Sequence, residues 1–198
     1  MFRDDLRVGI HHVGLALRDP EAFAARWNER RGEYQWPVWI ALLVTAIMGT
    51  TTYGMTMGLL GGAQSIAYKA FVCTLAAGLA WAIPLPALYI LNSLSGSRLA
   101  ASSTLLAALV TVSWGGLAMI ASIPINWFCT ATIPSSGFVL LVNLIVFTGV
   151  GVSMVDVFRR VMLRLEPQRQ AAPLWWLAIV AIIGGELFYF FGLFQFTA

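Results

Sequence analysis

Five long apolar runs alternate with short polar stretches, at about residues 36–60, 68–94, 104–123, 138–158 and 173–194. Each is about 20 residues or more, enough for an α-helix to cross a hydrocarbon core of about 30 Å. Ahead of them, Phe2, Leu6, Ile10, Val13 and Leu17 recur every three or four residues, the spacing of one apolar helix stripe. Asp19-Pro20-Glu21 then restarts a helix. Asp19 can cap it, Pro20 fits its first position, and Glu21 suits the positive end of its dipole. Phe23 and Trp27 lie four apart on this second helix. The pattern predicts two short helices on the membrane surface or on the cytoplasmic ends of the spans. A solvated arm with incidental periodicity is the alternative. The expected fold is all-α and polytopic: an amphipathic cytoplasmic arm at residues 1–35 and a domain of five transmembrane helices at 36–198.

Polar and small residues interrupt the runs in ways that predict packing. The second run, YKAFVCTLAAGLAWAIPLPALYILNSL, carries Pro84 and Pro86 near its middle. Neither has an amide hydrogen, so the carbonyls of Ala80 and Ala82 lose their helical partners. In hydrocarbon such groups must be re-satisfied by neighbours, which predicts a broken helix at the centre of the bundle. The first run ends in GTTTYGMTMG. Its Thr50, Thr51, Thr52, Tyr53 and Thr56 predict a face turned to protein or to a wet cleft. Gly54 and Gly58 permit close helix contact, as do Gly115 and Gly116, with Thr111 beside them, and Gly149 with Ser153. Asn143 is expected to be buried. Residues 61–67, 95–98 and 124–137 read as loops, and the arginine-rich stretch after Phe158 as a connector.

Composition sharpens the class. Of 198 residues 59% are hydrophobic and 11% charged, against about 25% charged in a soluble domain. A water-soluble fold is thereby excluded. With five spans, eleven basic residues fall on one side and Lys69 alone on the other. That asymmetry predicts a cytoplasmic N-terminus and an outside C-terminus. The charged stretch 2–31 leaves the first span as the expected uncleaved insertion signal. The arginines read as topology signals; no nucleic-acid motif is visible.

Little in the chain suggests catalysis. Glu186, within GGELFYFF, is the one acid well inside a span. An intramembrane carboxylate is a functional-site hypothesis by default. It is either a helix lock, partnered by the first-span threonines, Tyr53 or Lys69, or part of an ion path. Asp156 sits four residues before Arg160, the spacing of a local ion pair. His11 and His12 point about 100° apart on a helix and do not make a metal pair. Cys73 and Cys129 are unpaired apolar side chains or, in an oxidising compartment, a disulfide. No Ser-His-Asp set, HExxH, GxSxG or phosphate loop appears. The reading is a non-enzyme without cofactor or metal.

The layout resembles the Yip1 family and its bacterial relatives. RDPEAFAARWNERRGEYQWPVWIALLV is similar to the way bacterial members enter their first span, and PLPALYILNSLSGSRL to a pattern in bacterial multi-span proteins. The resemblance implies a cytoplasmic arm, five close spans, a bacterial plasma membrane and no catalytic residues. The DLYGP-like motif of eukaryotic members is absent, so trafficking partners are not implied. Two functions follow as expectations. One is a membrane scaffold or complex subunit that meets lipid or partner proteins through Arg159, Arg160, Arg164, Phe23 and Trp27, with other membrane proteins or further copies of itself as partners. The other is a small ion- or proton-coupled carrier using Glu186 and the helix broken at Pro84 and Pro86.

Overall fold

The structure, a computed structural model, describes residue 11 and residues 13–29, 36–169 and 171–195, with Asn28 described in its backbone only. Every regular element among them is helical. A short helix over residues 13–18 (α1) leads into α2 (Pro20–Glu29). Then follow α3 (Trp36–Met57), a 3₁₀ turn (Leu59–Gly61), α4 (Gly62–Ala82), α5 (Leu85–Leu94), α6 (Ala101–Thr132), α7 (Ser136–Leu165) and α8 (Trp175–Phe190). Among the described residues, four stretches are long and apolar enough to cross a membrane: Trp36–Met57, Leu59–Leu94, Ala101–Thr132 and Ser136–Leu165. Apolar α8 has 16 residues. At 1.5 Å per residue it is about 24 Å long, short of a 30 Å core.

α3 is the hub, packed on α6 and on α4; α7 lies on α6, α8 on α4, and α2 on α7. The close contacts follow small residues. A Cβ on Gly49 would overlap the backbone of Gly116, and one on Gly54 would meet the Lys69 carbonyl at 2.6 Å. Gly58 likewise lies against Ile66. Gly149, expected at a close contact, faces open space: a Cβ added there would have nothing within 4 Å.

Helix ends differ from the expected ones for physical reasons. Residues 62–67, expected as loop, form the first turns of α4, because Gly62 turns the chain at φ 75°. α4 stops at Ala82 and α5 restarts after Pro84, as the two prolines require. Ile83 still donates to the Leu79 carbonyl, and Leu88 to that of Pro84. The third span, expected to end before Pro124, continues as α6 to Thr132. A proline removes a single ladder bond, and the continuation buries Asn126 and Thr130. α7 runs through Arg159, Arg160 and Arg164 because Val157, Phe158, Val161, Met162 and Leu165 extend its apolar stripe. α8 ends at Phe190 in a Schellman cap: Leu193 N–H donates to Phe188 O, and Gly192 N–H, at φ 65°, to Tyr189 O.

Two apolar clusters form the interior. One, at the end where α2 lies, gathers Phe23, Trp27, Leu42, Leu106, Phe158 and Trp176. The other, at the far end, gathers Tyr53, Met57, Cys73, Met119, Phe188 and Leu193. Phe23 and Trp27, expected to face lipid or a partner, are instead buried in the chain's own core. There Trp27 Nε1 donates to Ser103 Oγ at 3.1 Å. Asp19 Oδ1 caps α2 by accepting from Ala22 N–H at 2.9 Å, and Arg164 reaches Glu21 at 3.4 Å. The first half of the arm stripe, Phe2 to Ile10, and His12 lie outside the described residues.

Candidate functional site

Among the described residues, three polar groups link the helices and connectors at the positions of interest. The first locks α3, α6 and α7 together at the far end. Tyr53 Oη donates to Asn143 Oδ1 at 2.8 Å. Asn143 Nδ2 donates to Val139 O at 2.8 Å, within its own helix. Asn126 Nδ2 donates to Thr56 Oγ1 at 2.8 Å and lies 3.5 Å from Asn143 Oδ1, while Asn143 Nδ2 lies 3.4 Å from Asn126 Oδ1. Tyr53, Asn126 and Asn143 are completely buried. Thr50 and Thr51 meet Thr74 Oγ1 at 3.3 and 2.7 Å, tying α3 to α4. The hydroxyl-rich half of α3 thus faces protein.

The second group surrounds Lys69, which is buried on α4. Its Nζ donates to Leu193 O at 3.3 Å and to Gln195 O at 2.6 Å. Tyr68 Oη donates to Phe191 O at 3.2 Å. These are carbonyls beyond the C-terminus of α8, the negative end of its dipole, where an ammonium is favoured. The expected pairing of Lys69 with Glu186 therefore does not form. Lys69 instead holds the terminal turn, and with Ala80 beside Gly184 these contacts run α8 antiparallel along α4.

The third group joins the connectors at the arm end. Glu166 accepts from Ser97 Oγ and from the Arg98 backbone N–H, each at 3.1 Å. Arg169 donates to Asn92 Oδ1 at 2.6 Å, to Ser95 Oγ at 3.0 Å and to Glu166 at 3.3 Å. The basic stretch is likewise mostly engaged: Arg160 pairs with Asp156 at 2.8 Å, at the expected spacing, and Arg164 pairs with Glu21. Arg159 is exposed and has no hydrogen bond or ion pair among the described residues.

Glu186 stands apart from all three. It is exposed on α8, with no hydrogen bond or ion pair among the described residues. It shares that outer face with Ile182, 67% exposed, and Tyr189, 76% exposed. Its expected partners are engaged elsewhere: Thr50 and Thr51 with Thr74, Thr56 with Asn126, and Tyr53 with Asn143. Both cysteine thiols are free. No group of three or more His, Cys, Asp or Glu side chains placed to hold a metal occurs among the described residues.

Comparison with family models, curated proteins and solved structures returns no match. The resemblance to Yip1-like proteins therefore rests on layout and on the two quoted segments. Asn126 and the Glu166 cluster do not stand out in the sequence. A helix that ends at Pro124 leaves Asn126 in a loop; its spacing of four from Thr130 is the signal that points the other way.

Proposed function

We propose that this protein is a non-enzymatic integral membrane scaffold or complex subunit, Yip1-like in layout, whose α8 outer face meets a spanning helix of another membrane protein or of a further copy. The observation that carries the reading is Glu186. A charged side chain at the centre of a spanning helix costs about 2.5–3.5 kcal/mol, less toward its ends, and normally faces protein or a wet cavity; Glu186 lies one turn before the end of α8. Here it faces outward beside Ile182 and Tyr189, with no partner among the described residues, which supports a partner supplied by another chain.

In this reading α8 is a fifth span: its antiparallel course along α4 and its terminal turn at Lys69 support that assignment. Arg18, Arg26, Arg98, Arg159, Arg160, Arg164 and Arg169 belong to the arm end, and Lys69 to the far end. That asymmetry supports a cytoplasmic arm and an outside C-terminus, and the resemblance to bacterial multi-span proteins supports a bacterial plasma membrane.

A carrier is the second reading, favoured by the break between α4 and α5 at Pro84. Against it, Glu186 lies on the outside, away from that break.

Purification in mild detergent, with mass spectrometry of the wild type, Glu186→Gln and Glu186→Leu, tests the proposal. The expected result is a partner or a homo-oligomer kept by the glutamine variant and lost in the leucine variant. A wild-type chain that is solitary, and that in vesicles moves protons by a route Glu186→Gln abolishes, would replace the scaffold with the carrier.

A further inference from the structure

An apolar cleft of about 640 Å³ lies between α7 and α8, with α4 and α6 as its floor. α8 rests on α4 and meets α7 through rings at its two ends, Trp176 on Phe158 and Phe188 on Phe147, with the cleft between them. Its walls are small: Gly151 on α7 and Gly185 on α8 are exposed or half-buried, with nothing within 4 Å of an added Cβ. No ionisable side chain lines it. At the far end it closes on an aromatic cluster, with Phe147 and Phe188 rings 5.1 Å apart and Phe194 edge-on to Phe147. On α7, Thr148, Val152 and Val155 line it at steps of four and three, and a further step of four reaches Arg159. Residues at these steps share one helix face. Arg159 is the arginine of α7 that Asp156 and Glu21 leave unpaired.

We infer that this cleft is a binding site for one anionic phospholipid of the arm-side leaflet, its acyl chain between α7 and α8 and its phosphate on Arg159. Three magnitudes favour that occupant. From Phe147 to Arg159 the helix rises about 18 Å, close to one leaflet of a roughly 30 Å core. The cleft volume falls in the range of about 300–1,000 Å³ that small-molecule sites occupy. A helix about 10 Å across fills roughly 1,500 Å³ over a comparable length, too much for the space. Charge supplies the rest: an unpaired guanidinium one helical turn beyond Val155 suits a phosphate by bidentate hydrogen bonding, and Trp175 stands at the start of α8, at the same end, where indoles favour headgroups. The inference stands independently of the scaffold reading, because Glu186 takes no part in it.

Native mass spectrometry of the detergent-purified chain, titrated with dioleoyl phosphatidylglycerol or dioleoyl phosphatidylcholine, tests it. The wild type should retain one phosphatidylglycerol per chain, with a preference of about fivefold over phosphatidylcholine, the scale of one basic side chain at an anionic surface. Arg159→Gln should keep a bound lipid but lose the preference. The double variant Gly151→Leu/Gly185→Leu extends side chains into the cleft from two positions where an added Cβ meets nothing within 4 Å, and should retain neither lipid at a melting temperature no lower than that of the wild type. Equal retention of the two lipids by the wild type would overturn the proposal. So would undiminished retention in the filled variant, or a second copy of the chain, in place of lipid, displaced by filling.

Discussion

At the residue scale, Asn143 ties the far end of the bundle. It accepts from Tyr53, touches Asn126, and bonds its own helix. Removing it leaves a buried hydroxyl and a buried amide short of partners, a loss of about 1–3 kcal/mol. Tyr53→Phe removes one intramembrane hydrogen bond, averaging about 0.6 kcal/mol. Equilibrium unfolding in mixed micelles should therefore show Asn143→Ala as the larger effect. Adding Tyr53→Phe to Asn143→Ala should cost nothing further; full additivity would show that the two side chains do not interact. The burial of Asn143 is legible in the sequence, since an amide inside an apolar run has few other places to go. The azimuths of Lys69 and Glu186 are not. Sequence spacing places both in the outer half of the bundle, but which face of α8 meets α4 depends on Gly184 fitting against Ala80. That contact leaves Glu186 outside, while Lys69 finds the terminal carbonyls.

At the scale of elements, apolar stripes are better guides than charges or prolines. The arginines after Phe158 suggest a connector, yet Val157, Val161 and Leu165 continue the helical period and α7 follows them. Pro124 and the Pro84–Pro86 pair look alike as helix breakers, but a single proline leaves most of the ladder intact and two spaced prolines do not. Glycine pairs are partly legible: Gly116 meets α3 as expected, but Gly49, its counterpart, has no glycine four positions away to mark it. These contacts make a testable contrast. Gly49→Leu places a side chain into the Gly116 backbone and should lower stability by at least the roughly 1–3 kcal/mol of overpacking. Gly149→Ala enters open space and should be neutral or slightly stabilising, through helix propensity of up to about 1 kcal/mol. Thermal unfolding in one detergent compares them directly, and equal melting temperatures would refute the α3–α6 contact.

At the scale of the molecule, membrane character is legible from the alternation of apolar runs alone, since no soluble surface can be drawn from a chain with 11% charge. The arm is less so: its periodicity announces helices, but only the docking of Phe23 and Trp27 in the core beside α7 makes it part of the fold. What surrounds the bundle is apolar nearly everywhere, with Ile145 on α7 and Ile182 on α8 equally open at 62% and 67% exposure. The two positions differ in one respect: only Ile182 lies one turn from an unpaired carboxylate. A photoreactive amino acid placed at each position in turn, and activated in living cells, tests that distinction. The expected result is a discrete protein adduct from position 182 that survives Glu186→Gln, fades with Glu186→Leu, and is absent from position 145; position 182 giving no more adduct than position 145 would contradict the proposal that α8 is where this protein meets its partners.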